Sequence, residues 1–348
     1  MRAQVITETG NISPDYIPLR MKECEEPQPA PGEIKISVEA CGVCHTELDE
    51  IEGRAEPPQL PVIPGHQVIG IVESTGDEVE NFSSGDRAGA GWIFSSCGEC
   101  RFCRKGLENL CRDFKATGRD AHGGYAEYMV ISSDYAVGIP EGLSPVSTAP
   151  LLCAGSIGYR SLKLAEISSG EVLGLTGFGA SGHLVLQLAR GLFDGLQIYV
   201  FARREETRDF ARKLGADWAG DTRDRAPQLC HAIIDTTPAW LPVKEALANL
   251  ERGGRLVINA IRKGAGDREE LLNLEYSKHL WLEKEIKSVA NVTKSDLEGI
   301  ISAANRLDIS PEITTYSLRE AHKALLDIKM SRGKGARVLK IGGGTGIK

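Results

Sequence analysis

Short apolar runs separated by amphipathic stretches dominate the middle of the chain. Val172–Thr176 is a continuous apolar run of strand length, and residues 183–190 after it repeat their apolar positions at helical spacing. A second run covers Gln197–Phe201, followed by a helical pattern over Glu205–Lys213 that stops at Gly215. Residues 232–235 then read as a strand, 242–250 as a helix and 255–260 as another strand. Such alternation predicts an α/β fold, a parallel sheet covered by helices on both faces. The flanks differ. Up to about residue 155 the chain is rich in Gly, Pro and β-branched residues, as an irregular β domain requires. From about 293 it turns helical: Ser317-Leu-Arg-Glu320 is a capping box that opens an amphipathic helix, and 337–341 is strand-like.

Composition fits two domains, since 348 residues at 41% hydrophobic content suffice for two cores. No apolar stretch reaches the roughly 18 to 20 residues a membrane-spanning helix needs, and a net charge of −7 gives no electrostatic reason to bind nucleic acid. The start, MRAQVITETG, has no apolar core or cleavage site of a secretion signal. A cytoplasmic protein with reduced thiols is therefore expected, leaving Cys24, Cys41 and Cys230 as ordinary free thiols.

Cysteine spacing changes the picture. Cys97-x2-Cys100-x2-Cys103-x7-Cys111 suits an exposed loop wrapping one ion, and four thiolates can close a tetrahedral zinc shell. Cys44, His66 and Cys153 form a scattered second set of mixed type, which would leave a fourth position open as catalytic zinc sites do. Two zincs per chain are expected.

After Val172–Thr176 comes Gly177-Phe-Gly179-Ala180-Ser-Gly182, a glycine fingerprint between strand and helix. Such glycines let backbone amides approach a pyrophosphate, and the helix N-terminus supplies unpaired N–H groups. Cofactor-binding positions are thus Gly177, Gly179, Ala180 and Gly182. At the end of the second strand, where an acidic residue would hold the ribose of NAD, stand Ala202, Arg203 and Arg204. Arginines can pair with a 2′-phosphate, so NADP is favoured over NAD. The alternative is that both arginines are solvated charges neutralised by Glu205 and Glu206.

Together CGVCHTELD from 41, PGHQVIGIVE from 64, GDRAGAGW from 85, the four-cysteine lobe, GGYAEY from 123, LLCAG from 151 and the glycine fingerprint resemble the zinc-containing alcohol dehydrogenases of the medium-chain dehydrogenase/reductase superfamily. The resemblance implies a Rossmann doubly wound domain, residues 156–292, beside a discontinuous, mainly β (GroES-like) catalytic domain, residues 1–155 and 293–348, with its zinc lobe at 95–113. By position it makes Cys44, His66 and Cys153 the catalytic zinc ligands, Cys41 a neighbour, and the four-cysteine lobe structural. Thr46 takes the hydroxyl that passes on the substrate proton. His45 lies at a position used near the cofactor pyrophosphate or the relay, with a solvent-facing histidine as the alternative. Asp49 stands where the relay often ends at a histidine, so the route past Thr46 departs from the family. Trp92 matches a wall of the substrate pocket, with a packing tryptophan as the alternative. Glu47 replaces an Asp and Gln67 a Glu, which removes one negative charge near the ion.

The implied activity is reversible hydride transfer between a primary or secondary alcohol, or its aldehyde or ketone, and a nicotinamide cofactor. Zinc with an open position acidifies a bound hydroxyl, as it acidifies water to a pKa of roughly 7. Polyol or thiol-adduct dehydrogenases, or an alkene reductase on the same fold, are the alternatives, although an alkene reductase would not need the three ligands. Small-molecule substrates, no nucleic acid, no membrane and a homodimer or homotetramer complete the expectation; residues 285–290 sit where family members pair sheets edge to edge.

Overall fold

The computed structural model describes residues 1–342 apart from 308, 310, 331, 333 and 334. The chain divides into two compact units, Met1–Cys153 with Val292–Lys348, and Ala154–Asn291.

The second unit is built on six parallel strands in the spatial order Trp218–Gly220, Gln197–Phe201, Val172–Thr176, Cys230–Asp235, Leu250–Ile258, Glu285–Ser288. Along the chain this is the doubly wound order 3-2-1-4-5-6, with its switch point where Val172–Thr176 and Cys230–Asp235 run side by side. The strands read as apolar runs because both faces are covered: Leu173, Leu175, Ile198, Val200, Ile233, Ile234, Leu256 and Val257 have no exposed surface. Helices Ala180–Leu192, Glu205–Lys213 and Leu241–Asn249 connect them.

Two boundaries differ from the sequence pattern. The helix expected at 242–250 is Leu241–Asn249, and the strand expected at 255–260 starts at Leu250 and stops at Ile258. Leu250 pairs with Cys230 and Arg255 with Ala232, so an irregularity containing Gly253 and Gly254 lies inside the strand. Two adjacent glycines look like a break, but neighbouring strands hold them in the ladder.

The first unit centres on a seven-stranded sheet in which Glu33–Val43 pairs with Val68–Thr75, Tyr128–Ser132 and Ala336–Lys340. The C-terminal segment therefore returns to this unit, Leu339 lying opposite Cys41. Ile313–Ser317, which pairs with Ala336–Lys340, gives no clear signal in the sequence because only Tyr316 of its five residues is buried. The core of this unit gathers Ile34, Ile36, Val38, Val68, Tyr125, Met129 and Ile131. Ser317 and Glu320 form the expected capping box, with N–H and Oγ of Ser317 at 3.0 and 2.9 Å from Glu320 Oε2. It opens a short turn that leads into the helix Ala321–Lys329. Among the described residues no helix is long and apolar enough to cross a membrane.

Candidate active site

The four-cysteine lobe brings its sulfurs together without help from a core. Cys100 and Cys103 lie 3.5 Å apart, Cys97 and Cys111 3.5 Å, and Cys97 and Cys103 3.9 Å. A tetrahedron with bonds of about 2.3 Å places thiolates roughly 3.8 Å apart, so this spacing fits zinc. Gly98 and Gly106, both at positive φ, turn the loop around the cluster. The backbone N–H of Cys103 is the main cause that draws the Cys100 thiol down to about 7, while burial pushes Cys111 up to about 11. Ser96 Oγ stands 3.2 Å from Cys103 Sγ and 2.5 Å from Tyr135 Oη.

The second cluster is assembled by three separate pieces of the first unit. Glu33–Val43 delivers Cys44 to the N-cap of the short helix His45–Ile51. Its Sγ accepts the N–H of Thr46 at 3.3 Å, and its own N–H donates to Glu47 Oε2 at 2.8 Å. His66 follows Gly65, whose φ of +102° and contact with the Tyr125 ring leave no room for a side chain. Cys153 ends the turn Ala149–Leu152. The three ligand atoms lie within 4.8 Å of one another, with Cys44 Sγ 3.7 Å from His66 Nε2.

Glu47 spans both ligands, since its Oε1 lies 2.7 Å from His66 Nδ1. That contact leaves Nε2 facing the sulfurs, the carboxylate–histidine arrangement that orients metal ligands. Contact with Cys153, then burial and the charge of Glu47, hold the Cys44 thiol well above its ordinary range. Burial disfavours protonated His66, but the charges of Glu47 and Cys44 outweigh it and raise the imidazole well above its usual value. Two thiols and an imidazole with their ligand atoms within 4.8 Å of one another are a donor set that fits zinc, whose binding would displace their protons.

Around this cluster the other expected residues take distinct places. Trp92 stacks edge-on against His66, ring centroids 5.0 Å apart at 86°. Thr46 is buried beside Cys44, whereas His45 is exposed. Asp49 is buried and accepts Arg54 Nε at 2.6 Å, and Cys41 is a fully buried neighbour outside the ligand set. Gln67 lies flat on Gly42, where a Cβ would meet its Oε1 at 2.5 Å, and its Nε2 has no partner among the described residues.

Glu50 is a buried acid that no pattern in the sequence marks. It is fully buried and neither oxygen has a hydrogen-bond partner among the described residues. Burial, then the charge of Glu47, pushes its carboxyl well above the usual range.

In the second unit the glycines take the three roles a pyrophosphate turn demands. Gly177, at φ +77°, has Thr236 Oγ1 and Thr237 Cγ2 each 2.8 Å from where a Cβ would stand. Gly179 caps the helix that Ala180 opens, and a Cβ there would meet nothing, which leaves its backbone open to a ligand. Gly182 packs the helix onto the turn, a Cβ lying 2.8 Å from Gly177 O. Beyond the next strand Ala202 is buried, and Arg203 and Arg204 are exposed. The alternative that Glu205 neutralises these arginines meets a competing geometry: its carboxylate pairs with Arg208 and Arg212.

Residues 30–141 match the family described as alcohol dehydrogenase GroES-like domain. A probable alcohol dehydrogenase of Mycobacterium tuberculosis (strain CDC 1551 / Oshkosh) is 40% identical over 332 residues, covering 94% of each chain. An alcohol dehydrogenase of Geobacillus stearothermophilus is 32% identical over 350 positions, covering 98% of this chain and 99% of the relative. Among solved structures, a cobalt- and zinc-bound thermostable alcohol dehydrogenase from Pyrobaculum aerophilum superposes with a TM-score of 0.85 at 25% identity, covering 98% and 99% of the two chains.

Proposed function

Since the chain belongs to the zinc-type alcohol dehydrogenases, an identity its relatives carry across nearly the whole length, we propose that it is a two-zinc enzyme that prefers NADP(H). It interconverts a primary or secondary alcohol with its aldehyde or ketone. The observation that carries this reading is the trio Cys44, His66 and Cys153, three ligands of mixed type converging in one place. A four-thiolate shell elsewhere in the same unit accounts for the second ion.

When bound, the catalytic zinc supplies Lewis acidity toward the oxygen of an alcohol or carbonyl. The chain's own residues do the rest. Glu47 fixes the two ligands it touches, Thr46 takes the hydroxyl proton, and Trp92 walls the substrate against His66. Past Thr46 stands the Asp49–Arg54 pair, where an already engaged carboxylate replaces a free base. The glycine turn holds the cofactor pyrophosphate. Arg203 and Arg204, with no ion pair among the described residues, support a 2′-phosphate contact, and Ala202 removes the carboxylate that would repel it.

The deciding experiment is a steady-state panel of alcohols and carbonyls run with NADP and with NAD, on wild type, Ala202→Asp and a variant with both arginines neutralised. Wild type should favour NADP(H). Each lost arginine contact should cost on the order of tenfold to a hundredfold in the Michaelis constant for NADP(H), since a charge-assisted bond contributes roughly 1.5 to 3 kcal/mol, so the doubly neutralised variant should lose more than that. A preference for NAD(H) in wild type, indifferent to the arginines, would return them to the role of surface charges. Reduction of activated alkenes without turnover of any alcohol would favour the alkene reductase reading.

The reading also includes association into a homodimer or homotetramer in the cytoplasm. The exposed strand Glu285–Ser288, at one edge of the parallel sheet, supports the first part.

A further inference from the structure

Thr176 and Asp235 are the last residues of adjacent strands and lie in register at the switch point of the parallel sheet. Asp235 has no exposed surface, and its charge is met by Lys263, a side chain only 8% exposed. The pair is densely tied. Asp235 Oδ1 accepts Thr176 Oγ1 at 2.6 Å, Thr237 Oγ1 at 2.8 Å and the Thr237 N–H at 3.2 Å. Besides Asp235, Lys263 Nζ donates to the carbonyls of Thr237 at 2.7 Å and Ala239 at 3.1 Å.

The same short segment grips the loop at further points. Gly264 N–H donates to Pro238 O at 2.6 Å, and Asp267 Oδ2 accepts the N–H groups of Trp240 and Leu241, both at 2.9 Å. Held in this way, the loop presses on the glycine turn. Thr236 donates N–H and Oγ1 to Thr176 O at 3.0 and 3.1 Å, and it stands with Thr237 at the site a Gly177 Cβ would need. A buried ion pair contributes little net stability compared with a well-packed apolar pair, so stability alone does not account for it.

We infer that Lys263 is a positioning residue for the dinucleotide: through Asp235 and two loop carbonyls it fixes the wall behind Gly177, which keeps the N–H groups of the turn aimed at the pyrophosphate. The inference rests on the dinucleotide reading of the glycine turn. Because NADP(H) and NAD(H) share the pyrophosphate, removing Lys263 weakens both alike, unlike a change at Arg203 or Arg204.

The test is a fluorescence titration of the full-length, zinc-loaded protein with NADPH and with NADH, on wild type, Lys263→Met and Thr237→Val, with thermal midpoints in parallel. Lys263→Met should raise both dissociation constants about tenfold or more and leave their ratio unchanged. Thr237→Val keeps both charges and removes one hydrogen bond, so it should raise both constants by a smaller common factor, and it decides the matter if Lys263→Met does not fold. Constants within twofold of wild type for both nucleotides, whatever the midpoint does, would overturn the inference. A loss confined to NADPH would overturn it too, by placing the effect at the 2′-phosphate. Failure of the underlying reading looks different: wild type itself would bind neither nucleotide, and the positioning role would fall with it.

Discussion

Glu47 joins Cys44 and His66, 22 positions apart in the chain, taking the Cys44 N–H with one oxygen and facing His66 Nδ1 with the other. Glu47→Gln keeps the shape and removes the charge. It should lower zinc affinity at the three-ligand site by about 10- to 100-fold, as removal of an orienting partner does elsewhere, while the four-cysteine lobe keeps its ion. Chelator competition followed by metal analysis reads both sites at once. Gln67→Glu has the opposite character: it adds a charge beside the ion and should shift the pH dependence of turnover upward, because negative charge disfavours loss of a proton nearby. An unchanged profile would place Gln67 electrostatically apart from the zinc. The cluster of Cys44, His66 and Cys153 was legible as a set because residue type and order mark it, whereas HTELDEIEG looks like a solvated acidic face. Tertiary packing buries Thr46, Glu47, Asp49 and Glu50 all the same, and no periodicity in the chain separates a buried Glu50 from a surface one.

Elements were legible where burial imposed a period. Strands packed on both faces announce themselves as apolar runs, and Val172–Thr176 and Gln197–Phe201 have the limits their pattern suggests. Ile313–Ser317, with one buried side chain, carries no such signal, and the glycine pair in Leu250–Ile258 conceals a continuous strand. The four-cysteine lobe is a different case, an element held by spacing and not by a core. Cys103→Ser should cost one zinc per chain and lower the thermal midpoint while the three-ligand site stays loaded; Cys44→Ser should abolish turnover with the fold retained. Full turnover in Cys44→Ser would rule out that site as the catalytic centre. At the far end of the helix after Cys44, Glu52 joins Arg54 and Lys329, a residue of the helix Ala321–Lys329. Burial opposes ionisation of Glu52, but hydrogen bonds from Lys329 and Arg54 outweigh it and lower its pKa from 4.5. A lowered pKa means stability that is complete above the unfolded value and lost as pH falls through the folded one. The stability difference between wild type and Glu52→Gln should therefore be constant at neutral pH and shrink below about pH 4.5, which denaturant titrations at several pH values would show.

At the scale of the whole molecule the doubly wound order follows from alternation plus the glycine turn, but association depends on what an edge exposes. Glu285–Ser288 pairs on one side with Leu250–Ile258 and, among the described residues, with nothing on the other. All four of its residues are exposed, Ile286 at 46%, and the neighbouring Trp281 and Leu282 are exposed at 53% and 41%. Natural proteins guard an open edge of this kind with charge or cover it with a partner. Here Glu285 is drawn toward Arg255, which leaves Ile286 and Trp281 as the apolar part of the rim. A second copy related by a twofold axis would cover both edges with the same surface and join the two sheets. Light scattering at micromolar concentration should thus give at least twice the chain mass of 37.6 kDa. Ile286→Lys should shift the particle toward the monomer and leave both zincs in place, since neither cluster draws a ligand from this strand. A wild-type particle of 37.6 kDa would show that the edge stays open in solution, and the exposed rim would then need another explanation than self-association.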